Sequence, residues 1–242
     1  MDARTQAMAD DPTPIINASP VDASVEADND RLARDYSIDA YYQTSPWPIR
    51  FIEERRLRII REFVDERAGM RIAEVGSGGG HVLRMFRQAK LCAIDVSSVF
   101  LETARKNLAG YDVTFIKGEV DKLDPLPTGF DRVICTEVLE HTQNPEAIVR
   151  TLARMLAPTG RAIITIPNDP LINGLKEVVR RTPLRWAFGN KIEWGGDHLH
   201  IHQWTPDEFR RLLGSAFHII DQRSAPSDRV PVRACFLCVP RV

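Results

Sequence analysis

The chain has no apolar segment approaching the roughly 20 residues that a membrane-spanning helix requires. Its first residues also lack the basic and then apolar pattern of a secretory leader. A cytoplasmic location is the expectation. Cysteine is scarce: Cys92, Cys135, Cys235 and Cys238 are the four among 242 residues. All four sit inside apolar runs and read as reduced core residues, too few for a disulfide framework. Cys235 and Cys238 form a CxxC, but an odd separation on a strand sends them to opposite faces, and zinc would require a second pair. The net charge is close to nil, at −1, so no strong field marks the chain as a nucleic-acid binder. That balance hides an asymmetry. Residues 1–30 carry seven carboxylates against Arg4 alone, which leaves the remainder mildly basic and tolerant of an anionic substrate or membrane surface.

What is present is ample apolar material: 43% of the residues are hydrophobic, enough for one sizeable α/β core. Residues 1–34, acidic and without aromatics, read as a disordered tail that cannot bury enough surface to offset chain entropy. In 35–69 the apolar residues Ile52, Ile59, Ile60, Phe63 and Val64 fall near helical spacing and predict an amphipathic helix. From 70 to 242 short β-branched runs alternate with helical stretches, the pattern of a doubly wound, mostly parallel sheet. Strands are predicted at 71–75, 91–95, 113–116, 132–135 and 161–166, with helices at 82–88, 99–108 and 145–156. Two closing runs, 217–221 and 234–239, are linked too briefly for a helical crossover and predict a hairpin. The expectation is a Rossmann-like sheet of seven strands in a single domain, its last strand antiparallel.

The segment RIAEVGSGGGHVLRMF places a strand, a bend rich in glycine, and then a helical pattern. Glycines there allow a sharp turn and let a ligand approach main-chain N–H groups. Seventeen residues after Gly78 the next strand ends at Asp95, a carboxylate positioned to accept hydrogen bonds from a ribose diol. A dinucleotide fingerprint starting at Gly76 would need glycine at position 81, which is His81. The loop reads GxGxG instead, preceded by Glu74.

EVGSGGG resembles the first motif of class I S-adenosylmethionine-dependent methyltransferases. Further segments, FDRVICTEVLEH through RAIITIPN and the terminal pair of runs, extend the resemblance from about Arg71 to the C-terminus. It implies S-adenosylmethionine as cofactor, seated on the loop formed by Glu74, Gly76, Ser77, Gly78 and Gly80. Glu74, Gly76 and Gly78 would line the methionine moiety and Asp95 would bind the ribose hydroxyls. Glu119 in IKGEV would reach the adenine amino group, where the family more often shows Asp.

In TEVLEH the residues Glu137, Glu140 and His141 stand at spacings that put them over the carboxyl ends of parallel strands, where open α/β sheets bind ligands. Farther on, His198, His200 and His202 alternate, and Thr205, Pro206 and Glu208 form a helix-start signal. EVLEH together with a histidine five residues before the Thr of WTP resembles two methyltransferase branches. These are the ubiquinone-type O-methyltransferases and the terminal 2′-O-methyltransferases of small RNAs. The resemblance implies Glu137, Glu140, His141 and His200 as ligands of Mg²⁺ or Mn²⁺. The same segment also occurs in methyltransferases without metal, and His141 or His200 would then act as general base beside Glu140.

An insertion at about 168–197 is longer than a plain connection needs, and its 170–191 portion mixes apolar residues with Lys176, Arg180, Arg181, Arg185 and Lys191. It predicts a substrate lid or a peripheral membrane contact. The function expected is methylation of a small-molecule acceptor, more readily at oxygen than at nitrogen or carbon. RNA 2′-O-methylation and an inactive cofactor-binding partner subunit stand as alternatives.

Overall fold

A computed structural model of the chain describes residues 13–35, 45–182 and 200–241. One sheet of eight strands organises them. In chain order these are β1 (Ile15–Asn17), β2 (Arg71–Val75), β3 (Lys90–Asp95), β4 (Val113–Lys117), β5 (Phe130–Thr136), β6 (Leu156–Pro167), β7 (Phe217–Ser227) and β8 (Val230–Pro240). Their spatial order is β1-β4-β3-β2-β5-β6-β8-β7. The strands from β1 to β6 pair in parallel, and β8 runs antiparallel to both β6 and β7. The predicted Rossmann-like, single-domain fold and the hairpin at the end of the chain are both present.

Helices cover the two faces: α1 (Ala23–Asp35), α2 (Trp47–Val64), α3 (Ser98–Asn107), α4 (Pro145–Met155), α5 (Asp169–Arg180) and α6 (Pro206–Leu213). On one face Ile59, Ile60 and Phe63 of α2 and Leu101 and Ala104 of α3 pack with Ile72, Ala93, Phe115 and Ile134. On the other, Val149, Leu152 and Met155 of α4 and Phe209 and Leu213 of α6 pack with Ala73, Val133, Ile164 and Phe236. Each such Leu, Ile or Phe contributes about 1.5–3 kcal/mol by leaving water. Alternation along β8 puts Cys235 in the first core and Cys238 in the second, as the odd spacing requires. Burial pushes both thiols up to about 12, so they are inert packing groups.

Two expectations need correction. The sheet has eight strands, because part of the presumed 1–34 tail is ordered: Ile15, Ile16 and Asn17 pair with Phe115, Ile116 and Lys117 along the outer edge of β4. Acidic composition misled here because the carboxylates find partners on the domain. Glu26 pairs with Lys117, and Asp30 accepts hydrogen bonds from the Ser97 hydroxyl and the Val99 amide. Secondly, the 82–88 helix is a single 3₁₀ turn, Leu83–Met85. Leu83 and Phe86 stand three apart on the buried side of that turn, a spacing that 3₁₀ geometry stacks directly. Of the 168–197 insertion only the first stretch, with α5, lies within the described residues. His198, Arg185 and Lys191 lie outside them.

Deleting residues 1–35 would remove a strand pairing and several interelement hydrogen bonds. At about 1 kcal/mol for each net hydrogen bond, a loss of roughly 2 kcal/mol corresponds to a drop in Tm of about 4–8 °C for a chain of this size. Calorimetry or circular-dichroism melts of the truncated and full chains measure it, and an unchanged Tm would return the segment to the status of a free tail.

Candidate active site

Strand order reverses between β2 and β5, and the carboxyl ends of strands at such a switch point are where open α/β sheets bind ligands. The glycine loop leaves β2 with Gly76, Gly78 and Gly80 all at positive φ. A side chain at Gly76 would also collide with the Val138 side chain, so the loop closes only with glycine there. The loop is fastened to the next strand by Asp95, whose Oδ2 accepts from the Gly78 amide at 2.8 Å and whose Oδ1 accepts from the Ser97 amide at 2.9 Å. Burial raises the Asp95 pKa, against the pull of these amides.

Glu74, on β2, is 1% exposed. Its Oε1 accepts a long 3.4 Å hydrogen bond from the Thr136 hydroxyl. Its Oε2, like the buried Ser77 hydroxyl, has no hydrogen-bond partner among the described residues. Desolvation pushes its pKa up to about 8, only partly countered by the nearby Arg56 guanidinium. Unpartnered buried polar atoms are costly, and those of Glu74 and Ser77 suit a ligand that donates hydrogen bonds above the loop.

Glu119 sits at the end of β4, but the N-terminal segment has reached it first. Its Oε1 accepts from the Asp22 amide at 2.9 Å and its Oε2 pairs with Lys122 at 2.6 Å. Ser19 lies against Gly118, where a Cβ would touch its hydroxyl. The segment from Ser19 to Asp30 therefore straps together the ends of β3 and β4, which carry Asp95 and Glu119.

After β5 the chain turns through Glu137, itself at positive φ, into a 3₁₀ turn, Leu139–His141. The structure brings Glu140, His141 and His200 together: one ligand atom from each lies within 4.8 Å of the others. The His141 and His200 rings meet edge to face with centroids 4.8 Å apart. Glu140 is 1% exposed, and neither of its carboxylate oxygens has a hydrogen-bond partner among the described residues. Burial first, and the neighbouring Glu137 second, push its pKa well above the usual carboxylate range.

Glu137, expected as a fourth ligand, is not in this group. Its Oε1 accepts from the Thr165 hydroxyl at 2.9 Å and its Oε2 pairs with Arg233 at 3.1 Å. Arg233 also bridges to the buried Glu53 of α2, so the Glu137 carboxylate belongs to a partly buried ion network running to that helix. His202 has a structural task. Its Nε2 is 3.0 Å from the Thr142 carbonyl, and the Ile201 and His202 amides both donate to the Glu140 carbonyl. These bonds clamp the 200–202 stretch onto the Glu140 turn and so deliver His200. The predicted capping box at Thr205 and Glu208 starts α6 just beyond it.

Sequence reasoning missed Thr165, Asp169 and Arg233. Each reaches the site from a strand or helix distant in sequence and carries no local motif, although Asp169 directly follows the strand end IPN.

Known proteins resemble this chain in sequence and in fold. The family model described as "Methyltransferase domain" matches residues 73–164. The ubiquinone biosynthesis O-methyltransferase of Neisseria meningitidis serogroup C is 30% identical over 202 residues, covering 78% of this chain and 84% of that one. Its Xylella fastidiosa counterpart is 32% identical over 177 residues, covering 64% and 72%. Among solved structures, magnesium protoporphyrin IX methyltransferase from Synechocystis, determined with bound S-adenosylhomocysteine, superposes with a TM-score of 0.61 at 18% identity, covering 90% of this chain and 95% of that one. The chain belongs to the class I S-adenosylmethionine-dependent methyltransferases. Within that class its relatives are the ubiquinone biosynthesis O-methyltransferases.

The raised Glu74 pKa has a stability consequence. The folded state holds the Glu74 proton up to about pH 8, whereas the unfolded chain releases it near 4.5. Stability from this group is therefore present at pH 4 and drains away as pH rises through 8. Cofactor-free protein is expected to lose Tm between pH 5 and 9, and Glu74→Gln to lose less. Parallel melting curves across that range would sink this account.

Proposed function

We propose that this methyltransferase acts on a hydroxyl oxygen of a small, phenolic or lipophilic acceptor, and that Glu140, His141 and His200 hold Mg²⁺ or Mn²⁺ beside that hydroxyl. The observation that carries the reading is Glu140, a buried carboxylate with both oxygens unpartnered among the described residues, within reach of two imidazoles. Mixed carboxylate and imidazole donors suit such cations. When bound, the metal supplies a lowered pKa to the coordinated hydroxyl. Relatives named as O-methyltransferases support oxygen as the acceptor atom.

For the cofactor, the loop residues Gly76, Ser77, Gly78 and Gly80 offer backbone approach to the methionine end, and Glu74 and Ser77 offer acceptors there. Asp95 faces the ribose hydroxyls while it holds the loop through Gly78. Glu119 stands at the adenine end, held by Asp22 and Lys122. The protein's share of the reaction is to align acceptor and methyl donor, exclude water and deprotonate the hydroxyl. Should turnover persist without metal, His200, with Nδ1 2.8 Å from the Asp169 carboxylate, is the group built to accept that proton.

The acceptor's lipophilic character connects with α5. Leu175 and Val178 are exposed on it, beside Lys176, Arg180 and Arg181, which suits a helix resting on an anionic bilayer surface from which such an acceptor would be drawn. No described helix is long and apolar enough to cross a membrane.

Calorimetry with S-adenosylhomocysteine is expected to show binding that Asp95→Ala weakens about 10- to 100-fold, the size of a lost charged hydrogen bond of roughly 1.5–3 kcal/mol. In turnover assays against phenols, lipids and RNA, phenols or lipids are expected as acceptors. EDTA should abolish activity, Mg²⁺ or Mn²⁺ should restore it, and Glu140→Ala should cost at least about 100-fold, or roughly 2.7 kcal/mol. Activity indifferent to EDTA and to Glu140→Ala ends the metal reading. Methylation of RNA alone ends the small-acceptor reading, and cofactor binding without turnover on any acceptor makes the chain a partner subunit. Flotation with neutral and anionic vesicles tests α5, and protein absent from both lipid fractions removes the membrane contact.

A further inference from the structure

We infer that Asp169 is a positioning residue for the Glu140–His141–His200 group, fixing His200 with its proton on Nδ1 and its lone pair on Nε2, turned to Glu140 and His141. The inference rests on the reading of that group as a metal or proton-transfer site.

Asp169 opens α5, directly after β6 ends. Its backbone is set by the preceding residue. The Asn168 amide donates to the Val232 carbonyl at 3.0 Å, and its side-chain amide donates to the Pro231 carbonyl at 3.0 Å, which ties the start of α5 to β8. From that fixed base the Asp169 carboxylate reaches His200, with Oδ2 2.8 Å from Nδ1 and the two side chains 7% and 11% exposed. His200 has its own anchor, because the Ile201 and His202 amides both donate to the Glu140 carbonyl. The chain on either side of the pair is thus anchored by hydrogen bonds of the neighbouring residues Asn168, Ile201 and His202, independently of the pair itself.

An ionised carboxylate only accepts hydrogen bonds. At 2.8 Å it therefore requires the proton on Nδ1, and the neutral ring is left with its acceptor on Nε2. Nε2 is then the nitrogen left for His200 to offer to the group it forms with Glu140 and His141. An imidazole whose far nitrogen donates to a carboxylate is also more basic and is confined in orientation. A helix-opening Asp has an ordinary alternative use as a cap, but here Asn168 is the N-cap, accepting from the Leu171 amide. That leaves the Asp169 carboxylate to the histidine.

Two measurements on the full chain test this. The first is long-range ¹⁵N–¹H correlation of the histidine rings in metal-free protein, with the His200 signals assigned by their loss in His200→Gln. Wild type is expected to show the Nδ1–H tautomer. Asp169→Asn, which keeps the shape and removes the charge, should yield a mixture with Nε2–H, and Asp169→Ala should go further. The second is titration with Mn²⁺ alone, where both variants are expected to bind 10- to 100-fold more weakly than wild type. S-adenosylhomocysteine affinity within about twofold of wild type, a bound set well inside the tenfold that 1.4 kcal/mol represents, verifies that a variant is folded.

Retention of the wild-type Nδ1–H signal in both variants overturns the proposal, as does unchanged Mn²⁺ affinity in variants of a wild type that binds the ion. If wild type binds no Mn²⁺, the metal part of the functional reading fails by itself, and the tautomer signal still decides the role of Asp169.

Discussion

Three carboxylates buried at the carboxyl ends of adjacent strands are the constraint on which the site depends. Glu74, Asp95 and Glu140 all lie out of water, where a negative charge is expensive unless something answers it. The fold answers Asp95 internally with the amides of Gly78 and Ser97, and that answer shapes the glycine loop. It leaves one oxygen of Glu74 and both of Glu140 unanswered among the described residues. Burial raises both pKa values, so that each group tends to keep its proton. A cation bound there favours the ionised carboxylate and answers its desolvation cost, so binding, protonation and stability are linked at the same atoms.

The surrounding polar groups divide the labour. Arg233 draws Glu137 away from the cluster and into a network with Glu53, which couples α2 to the site through charge rather than through packing. Thr142 and the Glu140 carbonyl capture the 200–202 stretch, so His200 arrives on a loop whose geometry is dictated by the turn it serves. Rigid elements thus place the groups, and the loops between them carry the chemistry.

Much of this was legible in the sequence. β-Branched runs bounded by turn residues located the strands, because a parallel sheet buried on both faces leaves continuous apolar segments. The glycine loop, Asp95 and EVLEH were legible because their constraints are local: a positive φ, a strand end, a single turn. Asp169, Thr165 and Arg233 were not, since each acts on a residue remote in sequence, His200 for the first and Glu137 for the other two, that only the assembled fold brings near. The 82–88 segment shows the limit of periodicity, as Val82, Leu83 and Phe86 fit a helical stripe yet pack as one tight turn. β1 was invisible for a related reason: three residues hold no pattern, and the acidity around them argued for solvent when their partners are Ser97 and Lys117.

β1 also has a place in time. Ile15 pairs with Phe115, about a hundred residues later in the chain. At synthesis rates of about 5–20 residues per second, its partner strand follows roughly 5–20 s behind it. During that interval the segment must stay soluble and unpaired, and its like-charged carboxylates, which repel one another and one another's copies, suit that waiting state. The composition that disguises β1 as a tail is then what keeps it available until the edge of β4 exists to receive it.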